Sequence, residues 1–548
     1  MEAQLLHSIL APALRHLRLT FGFWFIVLLT ARPVLAGPPV NGTVLDPDGR
    51  AVAHATVTFE RAGVLVASTS TDDSGRFSLE TLRSGSYVVK VAFPGLVLDP
   101  QSLVLAEEAT PPPLELRTRL SAISDSIVVS AGASEELVST APASTTVFSE
   151  RDIESRQASS IGDLLRTTEG LTVSQSGSSG GLTAVFPRGG ESNYSLVLVD
   201  GVRVNDMGGG FDFALLPTSG IERVEIVRGP QSAVFGADAI GGVVQVVTRR
   251  GGPLRFDALA EAGSQASRRF GATLSGSHRL WTWGADVGHR ASRGFNGHVT
   301  DSRERVSNDD GDQTSLGGRL ALGTASWRVG GHGRFVRGVK GYPGPFGSDP
   351  NETFSGVDNV SRGRNTHGAV ALMAERELSK RVRARGVWSL ARLLGDFDSP
   401  FGPSSNDTIR HTGRGLVDVL LASSWSATAG TELLFERGES SFVTDRNGEG
   451  LPIRRRVVGT FVETRGDLAK RASLTVGLRV EHIRRASIAP DAFGQRPALD
   501  SSTDVSVNPR VGISWLAFRS ESGSRSTRIR AGAGSGIRPP DVFELAFT

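Results

Sequence analysis

The chain has 548 residues, no cysteine, and a formal net charge of +3 from 60 Lys and Arg against 57 Asp and Glu. The absence of thiols excludes a disulfide framework and any thiolate nucleophile or metal site, and the near-balanced charge gives no electrostatic footprint for nucleic acid. With 66 glycines and only 39% hydrophobic residues, the composition suits many polar, strand-sized segments spread over several domains.

At the amino terminus, Arg15, His16 and Arg18 precede the apolar run 19–30, then Arg32-Pro33 and the small-residue signature Val34-Leu35-Ala36 before Gly37. That order predicts a secretory signal over residues 1–36. The alternative, a membrane anchor, needs about 20 apolar residues, and neither this run nor any other stretch supplies them. An exported chain without a helical span is either soluble or a β-barrel, because only helices and closed barrels satisfy backbone groups in lipid.

Residues 37–120 alternate strand-like runs (40–45, 55–60, 64–68, 75–79, 85–92 and 114–120) with turns such as Asp46-Pro47-Asp48-Gly49 and Asp72-Asp73-Ser74-Gly75. The spacing predicts a small antiparallel β-sandwich. The pattern of Gly42, Val44, Asp48-Gly49, Ala55, Val57, Thr71, Gly75, Phe77, Gly85, Tyr87 and Gly95 resembles the carboxypeptidase-regulatory-like domains. That resemblance implies a module found in many exported proteins, without peptidase activity. A spacer and a carbohydrate- or peptide-binding unit are both open readings.

Residues 121–136 form a linker that contains Asp125-Ser126-Ile127-Val128-Val129-Ser130-Ala131. By itself this is a β-prone linker strand. In its position it resembles the TonB box of TonB-dependent receptors, which implies that Asp125, Ser126, Ile127, Val128 and Val129 add as a strand to the partner protein TonB.

Residues 137–252 begin with two helix starts, at 149–153 and 160–165, the second ended by Gly170. Strands are expected at 171–174, 183–186, 194–199, 203–205, 221–227 and 242–248, with Val224 and Ile226 inward and Arg223 and Glu225 outward. The segment resembles the plug domain of TonB-dependent receptors, most closely the cobalamin-transporter branch and its siderophore relatives. The resemblance rests on Arg188-Gly189, the run 196–199 into Asp200-Gly201-Val202, Ile221-Glu222-Arg223-Val224-Glu225-Ile226-Val227-Arg228-Gly229-Pro230, and 235–243 with Gly236, Gly241 and Gly242.

Other chemistries fit this segment poorly. Residues 236–242 lack the GK[ST] ending of a phosphate loop. Gly177-Ser178-Ser179-Gly180-Gly181 has the letters of a nucleophile elbow but no helical pattern after it. The ten His residues form no zinc-hydrolase arrangement, so neither a catalytic residue nor a cofactor is expected. Asn205-Asp206 and Asp212 stand where some relatives place ligand-side or calcium-side loops, although carboxylates in Gly-rich loops are commonly turn formers. Arg188, Glu222, Arg223, Glu225 and Arg228 suit polar contacts to a surrounding wall, kept easy to separate by water in the lumen.

From residue 253 the pattern becomes amphipathic β, as in 474–481, 327–335 and 510–515. Membrane-barrel strands need about 9–11 residues, with apolar side chains to lipid and polar ones inward. Long polar stretches at 292–313, 339–364 and 396–410 read as extracellular loops, and the breaks at 277–280 and 379–381 as periplasmic turns. A secreted β-sandwich array is the soluble alternative. Roughly 13 strands are countable, against about 22 in large plugged transporters. Residues 534–545, with Ile537-Arg538-Pro539-Pro540, resemble a segment that family members carry well inside the barrel, so a chain lacking its last barrel strands is expected.

The fold class read from the sequence is mainly β: a small sandwich, an α+β plug and an incomplete antiparallel transmembrane barrel. The resemblance implies a non-enzymatic outer-membrane receptor with residues 37–136 in the periplasm. TonB, lipid and a small ligand (siderophore, cobalamin or oligosaccharide) would be its partners, with no nucleic acid. A passive adhesin barrel, or an exported carbohydrate-binding protein acting through residues 37–120, are the alternatives.

Overall fold

The computed structural model describes residues 39–46, 49–61, 64–79, 82, 84–93, 96–98, 101–106, 111–120, 128–129, 136–137, 141–295, 297, 305–324, 326–344, 357–422, 424–469, 471–491, 496–519, 526–540 and 544. The expected signal segment and Asp125, Ser126 and Ile127 lie outside them.

The first domain comprises β1 (Val40–Leu45), β2 (Thr56–Arg61), β3 (Val64–Ser70), β4 (Arg76–Leu79), β5 (Gly85–Phe93), β6 (Leu96–Val97), β7 (Gln101–Leu105), β8 (Leu114–Arg117) and β9 (Arg119–Leu120). One sheet has the order β4-β1-β8 and the other β3-β2-β5-β6-β9, with β7 also on β5. Alternate residues such as Val44, Val57, Phe59, Phe77, Tyr87 and Leu116 fill the space between them. The sandwich is not wholly antiparallel as expected. β8 runs parallel to β1, reached by a long crossover through the second sheet, to which β9 then returns.

Of the expected coupling strand, Val128–Val129 forms β10, which pairs antiparallel with β11 (Glu136–Leu137).

The second, inner domain contains β12 (Ser144–Ser149), α1 (Glu150–Ser155), α2 (Ile161–Leu165), β13 (Leu171–Gln175), β14 (Thr183–Pro187), β15 (Ser195–Val199), β16 (Val202–Arg203), β17 (Ile221–Arg228), α3 (Ser232–Phe235) and β18 (Gly242–Thr248). Ser149 and Ser160 start the two helices through capping boxes closed by Asp152 and Asp163. Helix α2 stops at Leu165, short of the expected Gly170, which instead takes a positive φ in the turn before β13.

The central sheet has the order β12-β17-β18-β15-β16. Val197, Val199, Val224, Ile226, Val244 and Val246 pack on one face against the α2 side chains Ile161, Leu164 and Leu165. Leu196, Leu198, Val227 and Val243 pack on the other against Val234 and Phe235 of α3 and against Leu416 and Phe461 of the third domain. Both faces are therefore covered. Glu225, expected to point to solvent, is 0% exposed and pairs with Arg223 at 2.8 Å.

The third domain is one antiparallel sheet of 13 strands in sequence order. They are β19 (Arg255–Ala262), β20 (Arg268–His278), β21 (Trp281–Ser292), β22 (Gly311–Gly323), β23 (Trp327–Gly341), β24 (Arg362–Ser379), β25 (Val382–Ser399), β26 (Gly402–Ala422), β27 (Trp425–Ser440), β28 (Ile453–Ala469), β29 (Ala472–Arg485), β30 (Ser502–Arg519) and β31 (Ser526–Gly534). Short turns join β20 to β21, β22 to β23 and β24 to β25, and longer connections lie at the opposite end. The loop expected at 396–410 is mostly strand, since Asp396 pairs with Ser405 and Asp398 with Pro403. Gly402, at φ +113, permits the tight turn. The polar side chains there find partners, Arg392 with Asp407 at 2.8 Å and Arg364 with Asp398 at 2.6 Å.

The sheet reverses the burial of a soluble protein. On β29, Leu478 is 42% exposed while the neighbouring Arg479 is 0%. Val476, Val480, Val511, Ile513 and Trp515 share the outer face, and Thr475, Glu481, Asn508 and Ser514 the inner one. Charge inside and hydrocarbon outside is stable only where the outside medium is apolar.

Leu478→Arg tests that face. Refolding into lipid vesicles under urea titration should show a loss of about 2–4 kcal/mol relative to Leu478→Ala, whereas a water-facing position would tolerate the arginine.

Candidate functional site

The inner domain is held by the wall through groups that strand geometry aims at one another. Successive inward positions on a strand are two residues apart. Glu432 and Glu436 on β27 therefore project inward, as do Arg410 and Arg414 on β26, Arg455 on β28, and Arg479 and Glu481 on β29. Facing them are β16, α3 and the loop after α3.

Arg203 of β16 lies at the centre of this arrangement. Its guanidinium donates to the backbone oxygens of Phe235 and, at 3.1 Å, Ala237, and to Glu432 at 2.9 Å. Glu432 also pairs with Arg479 and Arg414, both at 3.3 Å. Arg455 grips Asp238 with two bonds, at 3.0 and 2.9 Å. Arg410 pairs with Glu436 and donates to the Asn205 backbone oxygen at 2.9 Å. The Ala237 amide donates to Glu481 at 2.9 Å, and Arg510 donates to Gln231 at 2.8 Å. Burial alone would raise the Asp238 carboxyl, but Arg455 and then Arg203 overcome it and hold the group down at about 2.

A second set of contacts lies at the turn between β15 and β16. Asp200 accepts from the Thr248 amide at 3.0 Å and its hydroxyl at 2.5 Å, and pairs with Arg319 of β22 at 2.8 Å. Against the opposing effect of burial, Arg319 and Thr248 keep this carboxyl below its ordinary range. At α1, Glu150 pairs with Arg249 and, at 2.9 Å, with Arg255 of β19.

The residues expected to touch the wall have different partners. Arg223 pairs with Glu222 at 2.5 Å and with Glu225 at 2.8 Å, all on β17. Arg228 donates to Ser144 and Thr146 of the adjacent β12. Arg188 and Gly189 follow β14 with positive φ, and Gly229-Pro230 leads from β17 to α3. Gly236 caps α3 at φ +76, and a Cβ there would lie 3.0 Å from the Arg479 guanidinium carbon. A Cβ on Gly241 would lie 2.6 Å from Pro187 Cγ. Gly242, at φ +152, opens β18, and Gly201 completes the turn after Asp200. These glycines shape the domain so that Ala237 and Asp238 reach the wall.

The pairs are also drier than expected. Arg203, Glu432, Glu436, Arg410, Arg479 and Glu481 are all buried, so removing one partner of such a pair costs about 3–5 kcal/mol, against about 0–1 kcal/mol for a wet pair. The sequence shows Arg479 and Glu481 as polar members of an alternating strand. Nothing local marks Arg203, whose partner Glu432 lies 229 residues away.

The remaining candidates are tied into the fold. The Asn205 side chain accepts from the Val197 amide at 2.7 Å and donates to the Ser195 and Gly209 oxygens. Asp212 accepts from the Thr183 and Ala214 amides, each at 2.9 Å. Ser178, in the loop resembling an elbow, donates to Asp309 at 2.8 Å and accepts from Lys340 at 2.8 Å. Among the described residues, no group of three His, Cys, Asp or Glu is placed to hold a metal.

Three family descriptions match in order: a carboxypeptidase regulatory-like domain at 39–118, a TonB-dependent receptor plug domain at 138–243, and a TonB dependent receptor-like β-barrel at 255–548. The vitamin B12 transporter BtuB of Vibrio vulnificus is 48% identical over 124 residues, covering 23% of this chain. The match spans a fifth (20%) of that transporter's own length. The ferric-catecholate import receptor Fiu from E. coli K12, in its open form, aligns with a TM-score of 0.59 at 14% identity, covering 74% of this chain and 71% of its own. The FrpB iron transporter from Neisseria meningitidis aligns at 0.61 and 12% identity, covering 75% and 66%.

Asp238→Ala should leave the partly buried Arg455 beside Glu436 alone and weaken inner-domain anchoring by about 1–3 kcal/mol. Glu222→Ala, on a partly exposed pair, should cost about 0–1 kcal/mol. Chemical denaturation followed by a fluorophore on the inner domain reads both. Because the Asp238 carboxyl is depressed, its contribution is complete above the ordinary value of 3.8 and is lost as pH falls through about 2. Anchoring measured between neutral pH and pH ~5 should therefore be flat for this pair.

Proposed function

Since this chain belongs to the TonB-dependent receptors, we propose that it serves active uptake of a scarce ligand across the outer membrane, with the inner domain as the gate. The buried Arg–Glu and Arg–Asp lattice between gate and wall carries the reading. Parting a gate from buried ion pairs leaves charges without partners, a cost that an outside source would supply as work. The outer membrane has no nucleotide supply, which leaves a partner that spans the periplasm.

In this reading TonB captures Asp125–Val129 by strand addition and pulls on the chain just ahead of β12. Tension then reaches β17, the partner of β12 along its full length, and through β18 and β15 it loads the Arg203 and Asp238 contacts. Among the described residues, Val128–Val129 is held by a two-residue ladder, a small barrier to capture. The first domain lies on the periplasmic side. The donation from Lys380, in a short turn of the wall, to Ser84 of that domain at 3.4 Å supports this.

The ligand is a compound too large for porin diffusion. The relatives named above transport vitamin B12 or iron species, so cyanocobalamin and ferric siderophores are the first probes, with oligosaccharides as a third class. Met207, packed with Val443, Ile453 and Ile488 under the long connections, puts the gate's upper loop within reach of a ligand held there.

Deletion of residues 125–130 in the full-length receptor is the test. Binding of whichever probe scores should persist while its accumulation in the periplasm stops. Accumulation at the undeleted rate would refute the coupling.

A further inference from the structure

The wall holds the inner domain unevenly. On β26–β29 the inward positions carry the Arg and Glu side chains described above. On β20–β22 small inward residues, Gly271 on β20, Gly284 and Gly288 on β21, and Gly317 on β22, are interspersed with Arg269, Asp286, Arg290 and Arg319, of which Arg319 reaches Asp200 at 2.8 Å and Arg290 the Ala214 oxygen at 2.6 Å. They line two cavities against the edge of the inner domain. The larger is about 560 Å³, room for on the order of twenty waters at their liquid volume. The two share Gly220, Arg249 and Thr273 in their linings and so adjoin.

Polar atoms aimed into this space find no hydrogen-bond partner among the described residues. They are Ser219 Oγ of the inner domain, and Ser275 Oγ, Ser315 Oγ, His332 Nε2 and both amide atoms of Gln313 on the wall. Ser275 and Ser315 are each 1% exposed and Gln313 is 5%. Buried polar groups in a folded protein are satisfied by something. Here the remaining candidates are water and a hydrophilic solute.

We propose that the gate parts from the wall along this seam. A hydrogen-bonding, hydrophilic solute would cross between the Ser219–Gly220 edge and the glycine-lined strands β20–β22, while the lattice on β26–β29 keeps the opposite side shut. The proposal rests on the uptake reading and names the route it takes. Glycine gives the seam width, and the orphan hydroxyls and amide give transient partners that no resident side chain has to surrender. The lattice side has inward glycines too, but Gly459 faces the Arg479 side chain and Gly477 faces Ala233, so the space beside them is taken.

The chain has no cysteine, so introduced thiols report without background. In the full-length receptor, Ser315→Cys reports on the seam. Thr428→Cys reports on the lattice side, where the native hydroxyl is also buried but donates to Asp418 at 2.7 Å. The probe is a membrane-impermeant, positively charged maleimide added to energised cells with and without TonB. Labelling of Ser315→Cys should rise about tenfold with TonB, as for a gated opening, and Thr428→Cys should not change. Ser275→Cys replaces Ser315→Cys if the latter fails to insert.

Two locks identify the side that moves. A Cβ on Gly288 lies 3.4 Å from Ser219 Cβ, and one on Gly477 lies 3.8 Å from Ala233 Cβ, both close to the ~3.5–4.5 Å of a disulfide. Read at Ser275→Cys, because Ser315 itself touches position 288, the Ser219→Cys/Gly288→Cys bridge should abolish the gain, and the Ala233→Cys/Gly477→Cys bridge should leave it. The seam is refuted by an equal gain at Thr428→Cys, by a gain that survives the Ser219–Gly288 lock, or by Ser315→Cys labelling no faster than Thr428→Cys in either strain. Fast labelling of Ser315→Cys that ignores TonB would keep the hydrated seam and refute the coupling instead.

Discussion

Everything in this molecule follows from a sheet whose buried face is charged. A strand offers two faces, and when the outer one is given to hydrocarbon, the polar residues have only the interior left. Arginines and glutamates packed there need partners, because an unpaired ion in such a place is worth several kcal/mol of instability. The inner domain supplies them. Its Arg203, Gln231, Asp238 and the backbone around α3 complete a network that the wall alone leaves short. The wall and its contents are in that sense one electrostatic object built from two covalently continuous pieces.

The same requirement explains the form of the inner domain. A sheet covered on both faces can carry long apolar runs such as Ser195–Val199, every residue of which is buried. It can also bury Glu225, provided that Arg223 accompanies it on the same strand. Gly236 lets backbone and wall approach to a distance that a Cβ would prevent, as Gly241 does against Pro187 within the inner domain, and the first approach places the Ala237 amide on Glu481.

Local structure was legible in the sequence because local rules decide it. The strand at 40–45, the serine caps before α1 and α2, and the alternation of 474–481 each follow from spacing within a few residues. So did the count of barrel strands, read from polar and apolar alternation. What escaped depended on distance. The outward reading of Glu225 failed because alternation identifies a second face without saying that another domain covers it. Arg223 and Arg228 looked suited to the wall, yet partners on their own or the adjacent strand claimed them. Arg203 and Asp238 stood in an expected strand and motif but not among the wall contacts, since that role comes from Glu432 and Arg455, on strands far along the chain. The loop expected at 396–410 was misread because polar residues signal water as readily as irregular structure, and a strand that leaves the bilayer is polar while remaining a strand.

That last case has a mechanical meaning. β26 holds 21 residues, about 70 Å of strand at ~3.4 Å per residue. Even tilted by about 40° it rises well past the ~30 Å of hydrocarbon. The excess, paired with β25 and braced by Arg392–Asp407, stands clear of the membrane as a stiff palisade. Its conformational entropy was surrendered when the protein folded. A molecule that bound this rim would meet a surface already in shape, and its binding energy would not be consumed in ordering that part of it.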